Sequence, residues 1–259
     1  MNHLQAVLLG IIQGLTEFLP VSSSGHLALG QAILGIETGD LTFEVIVHFG
    51  TTLAVITVLR RRIWRLAGGL GQRDRASLAT IGLLALGSIP AVIVGLMLED
   101  KLAEVFASPL TVSFMLIVTG GVLFSTRGLS GEHMVDTVWM SIVIGISQAL
   151  AIIPGISRSG MTIATALWCR AEAGEAAMFS FLLAIPITAG ATAVKLAGLA
   201  GGETGTESWS ILLVGAVAAY ASGVMSIRWL LKIIGRGELD RFAYYCWAVG
   251  LIGIFTYWA

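Results

Sequence analysis

Two stretches decide the fold: Gln13-Gly-Leu-Thr-Glu-Phe-Leu-Pro-Val-Ser-Ser-Ser-Gly25 and Gln148-Ala-Leu-Ala-Ile-Ile-Pro-Gly-Ile-Ser-Arg-Ser-Gly160. One constant offset aligns a glutamine, two serines and a glycine of the first stretch with the same residue types in the second. In both, an apolar helical pattern is broken by proline, glycine or serine, and a second short helical pattern follows. Each stretch is therefore predicted to form a re-entrant helical hairpin rather than one continuous helix.

The composition is that of a membrane protein. Of the 259 residues, 56% are hydrophobic and 12% are charged, whereas a soluble domain carries about 25% charged residues. An ordinary water-soluble domain is therefore excluded, and we predict an all-α integral membrane protein. Six apolar stretches are long enough to cross a hydrocarbon core of about 30 Å, and they lie at about 42–60, 80–98, 110–126, 176–198, 209–231 and 243–258.

The order of hairpins and spans predicts an inverted-topology repeat. Three transmembrane helices follow each hairpin, and an odd number of crossings places the second hairpin on the opposite side of the membrane. The repeats cover about 1–127 and about 136–259 of a single membrane domain, 1–259. Because irregular backbone at membrane depth must be buried in protein or line a cavity, the two breaks should meet near the bilayer midplane. The outgoing half-helices then point two positive N-termini at one anion site.

The charged residues predict the orientation of the chain in the membrane. Arginines and lysines are concentrated at 60–75 and 228–241, whereas the connections at 99–109 and 199–208 are mainly acidic. Since Lys and Arg are enriched in cytoplasmic loops, the basic segments are predicted to be cytoplasmic and the acidic connections external. Threading six spans between them places both termini outside.

Three ionisable residues, Glu17, His26 and Arg158, lie at or beside the breaks, where burying each charge costs roughly 2.5–3.5 kcal/mol. One interpretation is a structural ion pair between Glu17 and Arg158. The other is functional. Ser23 and His26 are three residues apart and share a helix face, so the imidazole is a candidate base for the hydroxyl. The planar guanidinium of Arg158 is suited to a two-point grip on phosphate.

Further polar residues surround these three. Gln13 and Glu17 share a face of the incoming half-helix, where they are candidates to orient His26, bind a divalent ion or activate water. Glu44 and His48 share a face of the first span and are candidates to line the cavity. The serines at the breaks serve either as helix caps or as ligands of an anion.

These motifs resemble those of the undecaprenyl-diphosphate phosphatase family linked to bacitracin resistance. The resemblance lies in Gln13-Gly-Leu-Thr-Glu17, Leu19-Pro-Val-Ser-Ser-Ser-Gly-His26 and Pro154-Gly-Ile-Ser-Arg-Ser-Gly-Met-Thr162. It implies hydrolysis of a polyprenyl diphosphate, undecaprenyl diphosphate, in the bacterial cytoplasmic membrane, which recycles the lipid carrier of cell-wall synthesis. It also implies a site open to the periplasm and often a divalent cation, Mg²⁺ or Ca²⁺. No nucleic acid and no organic cofactor are expected.

The resemblance also implies roles for individual residues. The catalytic set falls on Glu17, Ser23, His26 and Arg158. Glu17 and Gln13 are the candidate metal ligands. Substrate binding falls on Gln13, Ser22, Ser24, Ser157, Ser159, Gly160 and Thr162. The chain departs from the family at His48, where the family commonly has glutamine, and this leaves the role of His48 open.

Several alternatives remain open from the sequence. The nucleophile is Ser23, a water activated by Glu17, or His26 itself. A polyprenyl-phosphate transporter or flippase would use the same midplane anion site, because inverted repeats with broken helices are typical of transporters. The acid-phosphatase-like lipid phosphatases are set aside, since they need a histidine six residues after the arginine, where this chain has Ala164.

Overall fold

The structure is a computed structural model that describes residues 1–36, 42–106, 108–129, 131–200 and 207–258, with side chains outside 98–106 and 200. In these ranges the chain is helical. It contains no β-strand there beyond one isolated bridge between His133 and Ala171. The prediction of an all-α membrane protein is thus confirmed in its general form, because several of the helices are strongly apolar.

The helices follow one another in a simple order. Within the described ranges they are α1 (His3–Phe18), α2 (Ser23–Ile33), α3 (Thr42–Val58), α4 (Arg60–Gly71), α5 (Arg75–Phe106), α6 (Pro109–Phe124), α7 (Val138–Leu150), α8 (Arg158–Trp168), α9 (Ala173–Ala200), α10 (Trp209–Ile234) and α11 (Phe242–Tyr257). A short 3₁₀ turn, Leu239–Arg241, precedes α11.

Among the described residues, three helices are long and apolar enough to cross a membrane alone. They are Arg75–Met97 within α5, Ala173–Leu199 within α9, and α10. Helices α3, α6 and α11 have 17, 16 and 16 residues, which is short of the roughly 20 residues of a full span. The membrane helices at 80–98, 176–198 and 209–231 are therefore confirmed in length and composition, and the count of six remains a prediction.

Two connections differ from the sequence-based expectation. The arginine-rich segment after the first span forms helix α4, because its apolar and basic residues separate onto two faces of a helix. Helix α4 is bent by 78° against α3. The acidic segment at 99–109 begins as the last turns of α5, which runs on to Phe106. Most of the other acidic connection, at 199–208, lies outside the described residues.

Each repeated stretch folds as two helices around a break. Helix α1 ends at Phe18 and α2 begins at Ser23, since Pro20 lacks the N–H that would continue the helix. The Ser22 hydroxyl accepts a hydrogen bond from Gly25 N at 3.2 Å, and the matching Ser157 accepts from Gly160 N at 3.0 Å. The predicted caps are thus confirmed for both serines, and they fix where each outgoing helix starts.

The two breaks are in contact. The Ser159 hydroxyl donates to the backbone oxygen of Leu19 at 3.2 Å. A Cβ atom on Gly25 would lie 3.2 Å from the Cα atom of Gly155. Because the two loops pack backbone to backbone, their irregular peptide groups are buried in protein, as predicted for breaks at membrane depth.

In each repeat, small residues let the first helix pack closely on a helix of the other repeat. Helix α1 packs on α10, where a Cβ atom on Gly14 would lie 2.3 Å from Ala219 O. Helix α7 packs on α5, where a Cβ atom on Gly145 would lie 2.5 Å from Gly87 O. Such close backbone approach is the usual way in which membrane helices associate. It holds the breaks in place against each other.

Replacing Gly155 by alanine is expected to damage this junction. Gly155 has φ +92°, and its Cβ atom would lie 2.4 Å from Val112 O on α6. A left-handed non-glycine residue costs on the order of 1–3 kcal/mol even without a clash, so the unfolding midpoint in detergent should fall clearly. Gly121→Ala is the control. Gly121 lies on helix α6, as Val112 does, but a Cβ atom there would meet nothing within 4 Å. Equal midpoints for the two variants would contradict the tight junction.

Candidate functional site

A cavity of about 480 Å³ lies where the two breaks face α3 and α9. The polar part of its lining comes from both repeats. It includes Glu17 and Ser23 of the first repeat and Ser157 and Arg158 of the second. The apolar part comes from Leu27, Ala28, Val45, Ile152, Ile156, Ile187 and Ala191. Since Ser23 and Arg158 are the first residues of α2 and α8, both helix N-termini reach this cavity, as predicted for an anion site.

Glu17 is the centre of the polar lining. Its Oε1 atom accepts a hydrogen bond from Arg158 Nη2, and the two side chains form the ion pair that the sequence suggested. Its Oε2 atom accepts from Ser23 Oγ at 2.5 Å and from Gln13 Nε2 at 2.9 Å. Glu17 is only 7% exposed. Such a buried charge requires these partners, since an isolated carboxylate would be very costly to desolvate.

The expected pairing of Ser23 with His26 is not what the structure shows for these residues. Ser23 Oγ turns to Glu17, whereas His26 Nδ1 lies 2.8 Å from Ser22 O and His26 Nε2 lies 2.9 Å from the Tyr245 hydroxyl. The three-residue spacing places both side chains on neighbouring positions of α2. It does not decide whether the ring turns to the Ser23 hydroxyl or to the backbone oxygen of Ser22, which also accepts from His26 N at 3.1 Å.

His48, whose role the sequence leaves open, lies beside the Glu17 carboxylate. Its Nδ1 atom lies 2.7 Å from Glu44 O, so this nitrogen carries a hydrogen. Its Nε2 atom lies 3.4 Å from Glu17 Oε2. Beyond it, Gln31 donates to the Glu44 carboxylate. Glu44 and His48 were candidates to line the cavity because they share a helix face, and both residues do line it.

Tyr245 and Ser180 are contacts that sequence reasoning missed. The Ser180 hydroxyl lies 2.6 Å from Thr162 Oγ1, and its backbone oxygen lies 3.5 Å from Arg158 Nη1. A serine in an apolar span and a tyrosine near a helix end are common in membrane proteins. Neither residue therefore carries a signal in a single sequence.

The remaining predicted ligands divide into two groups. Ser24 and Ser157 line the cavity. The others lie behind the lining and support it, since Gln13 donates to Glu17, Ser22 caps α2, Ser159 donates to Leu19 O, Gly160 N bonds Ser157, and Thr162 donates to Arg158 O.

The two candidate ligands of the predicted divalent cation, Glu17 and Gln13, are hydrogen-bonded to each other. No three His, Cys, Asp or Glu side chains converge as a metal site in the described part of the chain. Both Glu17 oxygens already accept hydrogen bonds, and the Arg158 guanidinium supplies the positive charge beside them. The geometry supplies no step that runs through a cation, and dependence on Mg²⁺ or Ca²⁺ stays a prediction.

Comparison with known proteins gives matches along nearly the whole chain. Residues 6–252 match the family model described as "Bacitracin resistance protein BacA". The chain is 40% identical to an undecaprenyl-diphosphatase of Halothermothrix orenii, with 97% of each chain covered. It is 41% identical to one of Salinibacter ruber, over 98% of this chain and 99% of the relative. It is 40% identical to one of Methanobrevibacter smithii, over 97% and 96%.

The Glu17–Arg158 pair should behave as a buried ion pair in a stability measurement. Glu17→Gln leaves the guanidinium, which is 19% exposed, without its carboxylate, and should lower the free energy of unfolding by roughly 3–5 kcal/mol. The double variant Glu17→Gln/Arg158→Met removes both charges and should recover much of this loss. Detergent unfolding curves of the wild type, the two single variants and the double variant give the coupling. Additive effects would show that the two charges do not interact.

Proposed function

The chain belongs to the bacitracin resistance protein BacA family, and on that premise we propose that it hydrolyses undecaprenyl diphosphate to undecaprenyl phosphate and inorganic phosphate. One observation carries the proposal. The Ser23 hydroxyl is hydrogen-bonded to the buried carboxylate of Glu17, which is itself paired with Arg158, beside the N-termini of α2 and α8. A hydroxyl, a base and a fixed positive charge are the parts that phosphoryl transfer to an enzyme side chain requires.

In the first step the diphosphate enters between the two helix N-termini, and the Arg158 guanidinium and the open N–H groups of α2 and α8 offset its charge. Ser23 Oγ attacks the terminal phosphorus, and its proton passes to Glu17 Oε2, 2.5 Å away. The bond from phosphorus to the bridging oxygen breaks, and undecaprenyl phosphate leaves. Since the leaving group is itself a phosphate, no strong general acid is needed.

In the second step water hydrolyses the phosphoserine. Glu17 first passes the proton it took from Ser23 to the departing undecaprenyl phosphate, and it is therefore again a base when water attacks the phosphoserine. It takes a proton from the water as the new P–O bond forms and the bond from phosphorus to Ser23 Oγ breaks. Glu17 then returns this proton to Ser23 Oγ, so that inorganic phosphate leaves and the hydroxyl is restored. Charge stabilisation and positioning dominate such transfers, and a single preorganised donor contributes about 2.7–4 kcal/mol. The Gln13 bond to Glu17 keeps the carboxylate oriented during both steps.

The apolar lining takes the prenyl chain. Leu27, Ala28, Val45, Ile187 and Ala191 line the cavity together with the charged residues, and they offer the lipid tail a surface like that of the bilayer. A pure transporter or flippase is not favoured, because transport needs no hydroxyl bonded to a buried carboxylate and the named relatives are hydrolases.

The proposal includes the arrangement in the inner membrane. The chain crosses six times as two inverted repeats, about 1–127 and about 136–259, with both termini and the site open to the periplasm. This arrangement is supported by the two contacting breaks, by the three full-length apolar helices of the described residues, and by basic residues that concentrate on α4 and from the end of α10 to the start of α11.

Ser23→Ala is expected to abolish phosphate release from undecaprenyl diphosphate by purified protein, with a loss of at least about a thousandfold, as for other enzyme nucleophiles. Lipid binding should survive, because Arg158 and the helix ends remain. Ser22→Ala removes the cap of α2, which costs about 1 kcal/mol of stability, and should keep measurable turnover. Substantial turnover in Ser23→Ala would instead assign the attack to a water activated by Glu17 or to His26.

The orientation can be tested with single cysteines at Gly71 and Ser208, in a protein whose Cys169 and Cys246 are replaced by alanine. Gly71 ends the basic helix α4 and Ser208 precedes α10, and both are exposed. A membrane-impermeant maleimide should label Ser208→Cys on intact cells, and Gly71→Cys only after permeabilisation. Labelling of both positions from the same side would contradict the inverted arrangement.

A further inference from the structure

Ser22, the residue before the proposed nucleophile, has a backbone conformation that residues with a side chain rarely adopt. Its φ and ψ are 68° and 95°, in the left-handed half of the backbone map. A conformation of this kind persists only where surrounding contacts hold it. Because Ser23 follows directly, whatever holds the Ser22 peptide also sets the direction of Ser23 Oγ.

Most of the contacts that hold Ser22 come from its own turn. Its hydroxyl accepts from Gly25 N at 3.2 Å and lies 3.3 Å from Ser24 Oγ. Its backbone oxygen accepts from His26 N at 3.1 Å and lies 2.8 Å from His26 Nδ1. The imidazole is thus the one side chain that bonds the Ser22 carbonyl in the described part of the chain.

The partners of His26 determine its tautomer. A carbonyl oxygen only accepts, so Nδ1 carries the hydrogen and donates to Ser22 O. In the neutral ring Nε2 is then an acceptor, and the Tyr245 hydroxyl, 2.9 Å away, is its donor. The two rings are stacked, with centroids 5.6 Å apart and planes inclined by 9°. Both nitrogens are therefore occupied by groups other than Ser23.

Helix α11 braces the first break at a second point as well. The Cys246 thiol lies 3.7 Å from Pro20 O, one residue along from the Tyr245 contact with His26. The start of α11 thus contacts the break on both sides of Ser22, at Pro20 and at His26. His26 itself is outside the lining of the cavity, whereas Ser23 is part of it.

We propose that Tyr245 is a positioning residue for the hydrolysis: through the Nδ1–H tautomer of His26 it holds the Ser22 carbonyl, and so directs Ser23 Oγ at Glu17. The proposal rests on the proposed role of Ser23. In it His26 is a strut between α11 and the break, and the proton of Ser23 goes to Glu17 alone.

The test compares Tyr245→Phe with Tyr244→Phe in the full-length protein. Tyr245→Phe keeps the stacked ring and removes the hydroxyl donor. The loss of one neutral hydrogen bond that acts on the reacting geometry should lower kcat about five- to tenfold, with KM and the unfolding midpoint close to wild type. Tyr244→Phe should match wild type, since the Tyr244 ring only packs edge-on against Phe124 and Trp247 in the described contacts. Unchanged kcat in Tyr245→Phe overturns the proposal.

A spectroscopic measurement separates positioning from general structural damage. In ¹⁵N-histidine-labelled wild type, His26, assigned by comparison with His26→Gln, should show a protonated Nδ1 and a bare Nε2. In Tyr245→Phe the Nε2 resonance should shift, because this nitrogen loses its hydrogen-bond donor. A wild-type ring protonated on Nε2 overturns the proposal, whether or not the variants fold. Normal turnover in Ser23→Ala would instead remove the proposed nucleophile, and the tautomer measurement would still report on the strut.

Discussion

The rest of the structure depends on one buried ion pair, between Glu17 of the first break and Arg158 of the second. A carboxylate and a guanidinium at membrane depth are tolerated only together and with further hydrogen bonds. This requirement brings two segments, 141 positions apart in the chain, to the same place. The irregular backbone of each break then packs against the other, and the first residues of both outgoing helices line one cavity.

The local parts of this arrangement were predictable from the sequence. Residues that are close in sequence or repeated predict the breaks and the caps at Ser22 and Ser157. The high cost of a lone charge in lipid predicts the pairing of Glu17 with Arg158. The side-chain partners of His26 were not predictable. Their choice depends on where α11 lies, and a tyrosine near the end of an apolar helix does not distinguish a site contact from a membrane-interface residue.

The span lengths show the same limit. Apolar composition identifies α5, α9 and α10, but hydropathy does not reveal that α3 ends at Val58 and turns by 78° into α4. The turn follows three successive arginines, Arg60 to Arg62, because charged side chains are costly to bury in the apolar layer of a membrane. One of them, Arg62, is paired with Glu175 on α9 at 3.2 Å. Hydropathy along the chain does not predict such a long-range pair.

The two halves share a scaffold and divide the chemistry between them. At the first position of the outgoing helix one half has Ser23 and the other has Arg158. Four residues after the shared glutamine, one half has Glu17, which Gln13 bonds, and the other has Ile152, so that neither amide atom of Gln148 has a hydrogen-bond partner among the described residues. The proposed nucleophile and its proposed base therefore come from one half, and the charge proposed to bind phosphate comes from the other. Neither half contains a complete site, and only their contact at the two breaks assembles one.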